Sequence, residues 1–283
     1  MLVLFLLMGV ASFLYFAFLL STSSVLSEIW IWLLIGGAHF FLAFLLKRKA
    51  EWKRKSVLFR IKVFCLTSYL IFVFTILSIA IFLTQYKKGE MEKNLDYVLV
   101  IGCELVDNSP SETLRNRLDL AEQYAKDNPN TRFVLVGGRG RLSASAESSV
   151  MFHDFLRNGI SSDRLLMEFY SKNTKEKVQY GLRSIAHWKE ELLLQDEEIQ
   201  RERGTDEENY SYLIEDALEG EDRIPRVGIL SSQYQLYHCI RFAEAENAYS
   251  YVSMRADTPP YLLPHYYTRE AISLLIGRLL HQV

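Results

Sequence analysis

Cysteine is scarce in this chain, with three in 283 residues, and Cys65 falls inside a long apolar segment. Only Cys103 and Cys239 remain elsewhere, too few for a disulfide framework. One bridge between them and two small buried thiols both stay open. An excess of charge is also missing. Thirty-two Lys and Arg face thirty-four Asp and Glu, for a net charge of -2. Nucleic acid is therefore not an expected partner, because phosphate backbones are met by strongly basic surfaces. No segment matches G-x-G-x-x-G or the P-loop pattern, so a nucleotide fingerprint is absent. Met1–Leu20 lacks both a basic n-region and a small-residue cleavage site, and reads as a retained span rather than a removed signal peptide.

Long charge-free runs are abundant. Leu2–Leu20, Ile29–Leu46 and Val63–Tyr86 contain no charged side chain. Each approaches the roughly 20 apolar residues that cross a bilayer core, and lipid enforces the helical form. Three transmembrane helices are thus predicted within residues 1–86. The basic run Lys47–Lys55 separates the second from the third, whereas the first loop, Ser21–Ser27, has no Lys or Arg. By the positive-inside rule the basic loop is cytoplasmic and the third span leads outward. The expectation is a multi-pass protein of the cell membrane whose C-terminal domain lies outside the cytoplasm. Trp30 and Trp32 suit the outer interface, and His39 reads best as a neutral partner for a neighbouring helix.

Residues 87–94 form a polar connector, and 95–283 alternate strand and helix patterns. Tyr97–Ile101, Phe133–Val136, Arg164–Glu168, Arg226–Leu230 and Tyr249–Val252 read as strands. Between them, Leu114, Leu118, Ala121 and Ala125 recur at helical spacing behind a capping box, Ser109-Pro110-Ser111-Glu112. A second helix opens near Ser145 or Ala146 and ends at Gly159; a third is capped by Thr174. This βαβ order predicts an α/β fold with a mainly parallel sheet covered on both faces. Glu190–Asp222 interrupts it with fourteen acidic residues against Arg201 and Arg203. It reads as a solvated insertion, with a cation-dependent or partner-docking flap as the other reading.

In such sheets ligands bind beyond the carboxyl ends of the strands, where helix N-termini present free N–H groups. Four segments collect there: Gly102-Cys103-Glu104, Gly137-Gly138-Arg139-Gly140, Lys172-Asn173-Thr174 and Ser231-Ser232-Gln233. The glycine loop suits either a plain turn or a phosphate cradle to which Arg139 adds a charge-assisted contact. Arg117 flanks the buried stripe of its helix. Glu147 falls in a first helical turn, where capping and general-base work are equally served.

The ordered set Val-Ile-Gly-Cys-Glu-Leu, Arg117-Leu118, Val-Leu-Val-Gly-Gly-Arg-Gly, Ala-Glu-Ser-Ser-Val-Met, Ser-Lys-Asn-Thr-Lys-Glu and Leu-Ser-Ser-Gln-Tyr-Gln resembles the YdcF-like family. The closing Thr-Pro-Pro-Tyr-Leu-Leu-Pro and Thr-Arg-Glu complete the resemblance over about residues 95–283. It implies a Rossmann-like three-layer domain, often membrane-anchored and associated with bacterial envelope and cell-wall biogenesis. By the same resemblance Arg117, Gly137, Gly138, Glu147, Thr174, Glu176 and Ser232 are site positions, with Arg269 and Glu270 in the tail motif. Four positions depart from it. Val136 replaces a Ser, Lys177 an Asn, Gln235 a His and His238 an Arg. Exchanging imidazole for carboxamide removes a proton-transfer group but keeps a hydrogen-bonding one, and His238 is the alternative imidazole one turn on.

Two functions follow. One is an enzyme acting outside the membrane on a phosphate-bearing or lipid-linked glycan, with Glu147 and His238 as catalytic candidates. Its ligand would be held by Arg117, Gly137, Gly138, Arg139, Thr174, Glu176, Ser232, Gln235 and Arg269. The other is a non-catalytic binding or scaffolding protein of the envelope with a degenerate site. A cytoplasmic nucleotide or S-adenosylmethionine binder is opposed by the topology.

Overall fold

The computed structural model describes residues 1–22, 27–47, 57–86, 91–140, 143–203 and 224–279. They fall into two compact units: Met1–Tyr86 with Pro260–Val283, and Lys87–Pro259.

The first unit holds α1 (Leu2–Ser21), α2 (Ile31–Lys47) and α3 (Val57–Gln85). Phe5 of α1 and Leu42 and Ala43 of α2 form a small core, against which Cys65, Leu66 and Tyr69 of α3 pack. His39 and Tyr69 share a 2.6 Å hydrogen bond between α2 and α3, the interhelical bond expected of that histidine. Apolar side chains elsewhere on α3 face outward, including Phe64 at 71% and Phe74 at 73% exposure. That arrangement suits lipid rather than water.

Among the described residues, two helices are long and apolar enough to cross a membrane, Leu2–Ser21 and Phe59–Gln85. This corrects the expectation of three. The second apolar segment loses its first residues to a turn: Glu28 adopts φ 66° and its carbonyl accepts from Ile31 N, so α2 starts at Ile31. Seventeen helical residues remain, about 25 Å at 1.5 Å per residue, short of a bilayer core. The basic residues 48–55 lie outside the described residues.

The C-terminal segment from Pro260 belongs to this unit rather than to the α/β one. Its helix, α8 (Leu263–Leu279), packs on α3 and on the turn between α1 and α2. Trp32 Nε1 donates to His265 Nδ1 at 3.3 Å, His265 Nε2 donates to Ser27 O at 3.1 Å, and Arg269 Nη1 donates to Ser27 Oγ at 2.8 Å.

The second unit is the expected α/β fold. Its sheet runs β5-β4-β1-β6-β7 and every neighbouring pair is parallel. The strands are β1 (Tyr97–Ile101), β4 (Arg132–Val136), β5 (Leu165–Glu168), β6 (Arg226–Ser232) and β7 (Ser250–Ala256). A hairpin of β2 (Leu105–Val106) and β3 (Ser109–Pro110) stands apart. All five residues of β1 are buried, as a central strand covered on both faces requires. Helices α4 (Glu112–Asp127) and α5 (Glu147–Arg157) pack together, as do α6 (Thr174–Arg203) and α7 (Gln233–Glu246), giving a Rossmann-like three-layer arrangement.

Local differences have clear causes. Ser109 and Pro110 are not helical. Asp107 and Asn108, at φ 49° and 58°, make the two-residue turn that pairs Ser109–Pro110 with Leu105–Val106. The cap of α4 is therefore Ser111, whose hydroxyl accepts from Leu114 N at 3.2 Å. Similarly α6 is capped by Asn173, whose side chain accepts from Glu176 N at 2.9 Å, which moves the cap one residue ahead of Thr174. The helix then continues to Arg203, into the acidic stretch, because Glu, Leu, Gln and Arg dominate there and are strong helix formers. Residues 204–223 of that stretch lie outside the described residues.

Candidate functional site

The chain order places β4 on one side of β1 and β6 on the other, so the sheet has its topological switch point between β1 and β6. Ligands of doubly wound sheets bind beyond the strand ends at such a point. Here Arg117 of α4 occupies it. The guanidinium is fully buried. Nε donates to Ser232 Oγ at 2.8 Å, Nη1 to the carbonyls of Ile101 at 2.6 Å and Gly102 at 3.2 Å. Nη2 donates to Tyr234 Oη at 3.2 Å and Gln235 Oε1 at 3.1 Å. All five guanidinium hydrogens thus have protein acceptors. Arg117 stitches the ends of β1 and β6 to the first turn of α7, and its fork is committed within the protein.

Gln235 extends this network. Its Oε1 also accepts from Ser231 Oγ at 3.1 Å, and its Nε2 donates to Thr174 Oγ1 at 2.8 Å. The carboxamide that stands where the resemblance expects a histidine therefore ties the starts of α6 and α7 to Arg117. Ser232 and Thr174 are both acceptors in this chain of bonds, so with Arg117 and Gln235 four candidate positions converge here.

A second cluster adjoins it through the Gly102 carbonyl. Lys177, from the first turn of α6, donates Nζ to Gly102 O at 3.1 Å and to Glu147 Oε2 at 2.5 Å. The side chains of Lys177 and Glu147 are 12% and 11% exposed. Burial pushes the Glu147 carboxyl above the ordinary range, and Lys177 pulls against that shift. Glu104 and Arg117 add smaller and opposite contributions. Glu147 is a further candidate that the structure brings to this rim, and Lys177 is a partner the sequence did not reveal.

The glycines explain the approach of Glu147. A Cβ on Gly137 would lie 2.7 Å from Glu147 Cβ and overlap Oε2. One on Gly102 would overlap the same oxygen and sit 2.7 Å from the Val136 carbonyl. Gly138 is closed instead by the Ser171 carbonyl, which accepts from Gly138 N at 3.0 Å. The space these glycines leave is filled by protein, chiefly by the Glu147 side chain.

Other candidates are placed elsewhere or serve local structure. Arg139 donates Nε to Ser143 O at 2.8 Å, folding back on its own loop. Glu176 accepts from Lys172 N and Asn173 Nδ2, both at 2.7 Å, closing the cap of α6. His238 is buried on α7 and stacks on Phe242 at 5.7 Å with rings 8° apart. Arg269 belongs to the other compact unit and holds Ser27. Cys103 and Cys239 are both buried and are not joined by a disulfide. Burial, with Glu104 adding to it, pushes the Cys103 thiol up to about 12, which removes it as a nucleophile at neutral pH. Among the described residues no cluster of His, Cys, Asp and Glu could hold a metal ion.

Compared with known proteins, the chain matches no family model and none of the curated proteins.

Proposed function

We propose that this chain is a membrane-anchored α/β protein of the bacterial cell envelope that acts outside the membrane on a phosphate-bearing or lipid-linked glycan. The observation that carries the reading is the buried Glu147 carboxyl at the strand-end rim, raised by its burial and held by Lys177. A carboxyl raised toward neutrality at the start of a helix is suited to taking a proton from a hydroxyl and returning it to a leaving group. Arg117 acts in this reading as the positioning residue, fixing the end of β1 over which Glu147 and Lys177 meet. The outward orientation is supported by the basic run after the second apolar segment.

A non-catalytic binding or scaffolding role is the second reading. It is favoured by the neutralisation of Glu147 by Lys177 and by the commitment of every Arg117 donor.

Glu147→Gln in the full-length chain separates them, since it keeps shape and hydrogen bonding while removing basicity. The enzyme reading expects a folded variant that fails to complement a deletion strain. Full complementation would overturn it in favour of the scaffold.

A further inference from the structure

At the outer edge of the sheet, away from the Arg117 network, an open groove of about 460 Å³ runs between the end of β5 and one face of α6. Its lining is Glu168 and Tyr170 from the strand end, with Tyr180, Arg183, Ser184 and His187 from the helix. The four helical residues follow the i, i+3, i+4, i+7 pattern of a single face. The stripe Val178, Leu182 and Ile185 is instead buried against the sheet. The size is that of a small-molecule site.

Two features say what would fill it. First, Glu168 is only 4% exposed, and just one of its oxygens is used. Oε1 accepts from Tyr170 N at 2.7 Å and Ser171 N at 3.0 Å, while Oε2 has no hydrogen-bond partner among the described residues. A buried carboxylate oxygen left this way is costly, and a donor from a ligand would satisfy it. Second, Tyr170 is 72% exposed and Phe169 beside it 48%, with ring centroids 4.5 Å apart. Such exposed rings offer a flat apolar face next to polar groups.

The charges select among ligands. Arg183 opposes a cation, Glu168 opposes an anion, and a hydroxyl can both donate to Glu168 Oε2 and accept from Arg183. We propose that this groove is a saccharide subsite, in which a neutral sugar ring lies on Tyr170 and its hydroxyls pair with Glu168 and Arg183. This deepens the envelope-glycan reading and rests on it for the biological setting, although the groove and the Glu147–Lys177 pair fail separately.

The test uses the full chain in a detergent without a sugar headgroup. Maltotriose and triacetylchitotriose are titrated by calorimetry, with choline and inorganic phosphate as controls. Saturable binding of at least one trisaccharide is expected, weakened tenfold or more in Tyr170→Ala and in Glu168→Gln. Arg183→Ala, at an exposed position, provides the same test should Glu168→Gln fail to fold. Absence of binding by both trisaccharides overturns the proposal, as does binding by Tyr170→Ala equal to the parent. Displacement of the sugar by choline also overturns it, in favour of a cation cage. Retained groove binding alongside full complementation by Glu147→Gln would sink the ion-pair reading alone.

Discussion

Glu147 and Lys177 meet across the first turns of two helices, α5 and α6, at 2.5 Å and nearly out of contact with solvent. The two helices lie on opposite faces of the sheet, so the pair closes over the ends of β1 and β4 through the gap left by Gly102 and Gly137. Lys177 shares the Gly102 carbonyl with Arg117, which joins the ion pair to the switch-point network.

Removing one partner of such a pair strands the other. Lys177→Met should cost about 3–5 kcal/mol at neutral pH, because Glu147 is left buried without its counter-charge. The sign with pH is set by the raised folded-state carboxyl. The folded protein binds this proton more tightly than the unfolded chain does. Stability of the variant is therefore greatest below the unfolded carboxylate range and falls as pH rises through the folded value. Thermal unfolding of Lys177→Met at pH 5 and pH 8 should show the larger loss at pH 8, and adding Glu147→Gln should recover most of it.

The glycine pair predicts a steric effect at the same place. Gly137→Ala must displace Glu147, and Gly102→Ala must in addition crowd the Val136 carbonyl, a backbone group that cannot rotate away. Each should lose about 1–3 kcal/mol, the cost of overpacking a close-packed site. Gly102→Ala should be the worse of the two in chemical denaturation, since a side chain yields more easily than a strand.

Much of this architecture is legible in the sequence, and the exceptions share a cause. The bounds of β1, Tyr97–Ile101, are legible because a central parallel strand is apolar throughout. Glu147 and Ser232 are placed at the rim by the fold rule for strand ends alone. Lys177 is not legible. Its role depends on a partner thirty residues away on the opposite face, and no local spacing encodes that. The place of Arg117 at the site is legible but its commitment is not, because the acceptors come from two segments far from it and from each other in sequence, residues 101–102 and 232–235. The second apolar segment misled for the opposite reason: its composition is suited to lipid, but a turn at Glu28 shortens the helix.

Topology is open to direct measurement. The first loop lacks Lys and Arg while residues 47–55 are rich in them, so a reporter fused after Lys93 should be active outside the cytoplasm. Reporter activity confined to the cytoplasm would overturn the proposed site of action.

Glu122 offers a pH test remote from the site. Burial, with a hydrogen bond to Asp154 next in weight, pushes its carboxyl up to about 7 from 4.5. The folded state thus holds a proton between those values that the unfolded chain releases. The stability this contributes is complete below pH 4.5 and is lost as pH rises through 7. Glu122→Gln keeps the neutral form at every pH. It should unfold at the same temperature as the parent near pH 4.5 and at a higher one at pH 8, measured by calorimetry.

Arg117 decides whether the switch point holds a ligand or a structural clasp. Its five bonds go to two backbone carbonyls, two hydroxyls and a carboxamide, all from segments that begin or end at the rim. Arg117→Met would leave those buried acceptors without donors, and buried unsatisfied groups cost about 1–3 kcal/mol each. A loss of at least about 3 kcal/mol is therefore expected, enough to remove a large share of a domain's stability. Arg117→Lys should not rescue it, because an ammonium has three donors and cannot span the planar fork. If instead Arg117 served a ligand directly, both variants would unfold with the parent's midpoint and lose only affinity. Denaturation curves of the two variants beside the parent separate these outcomes, and equal midpoints would sink the clasp.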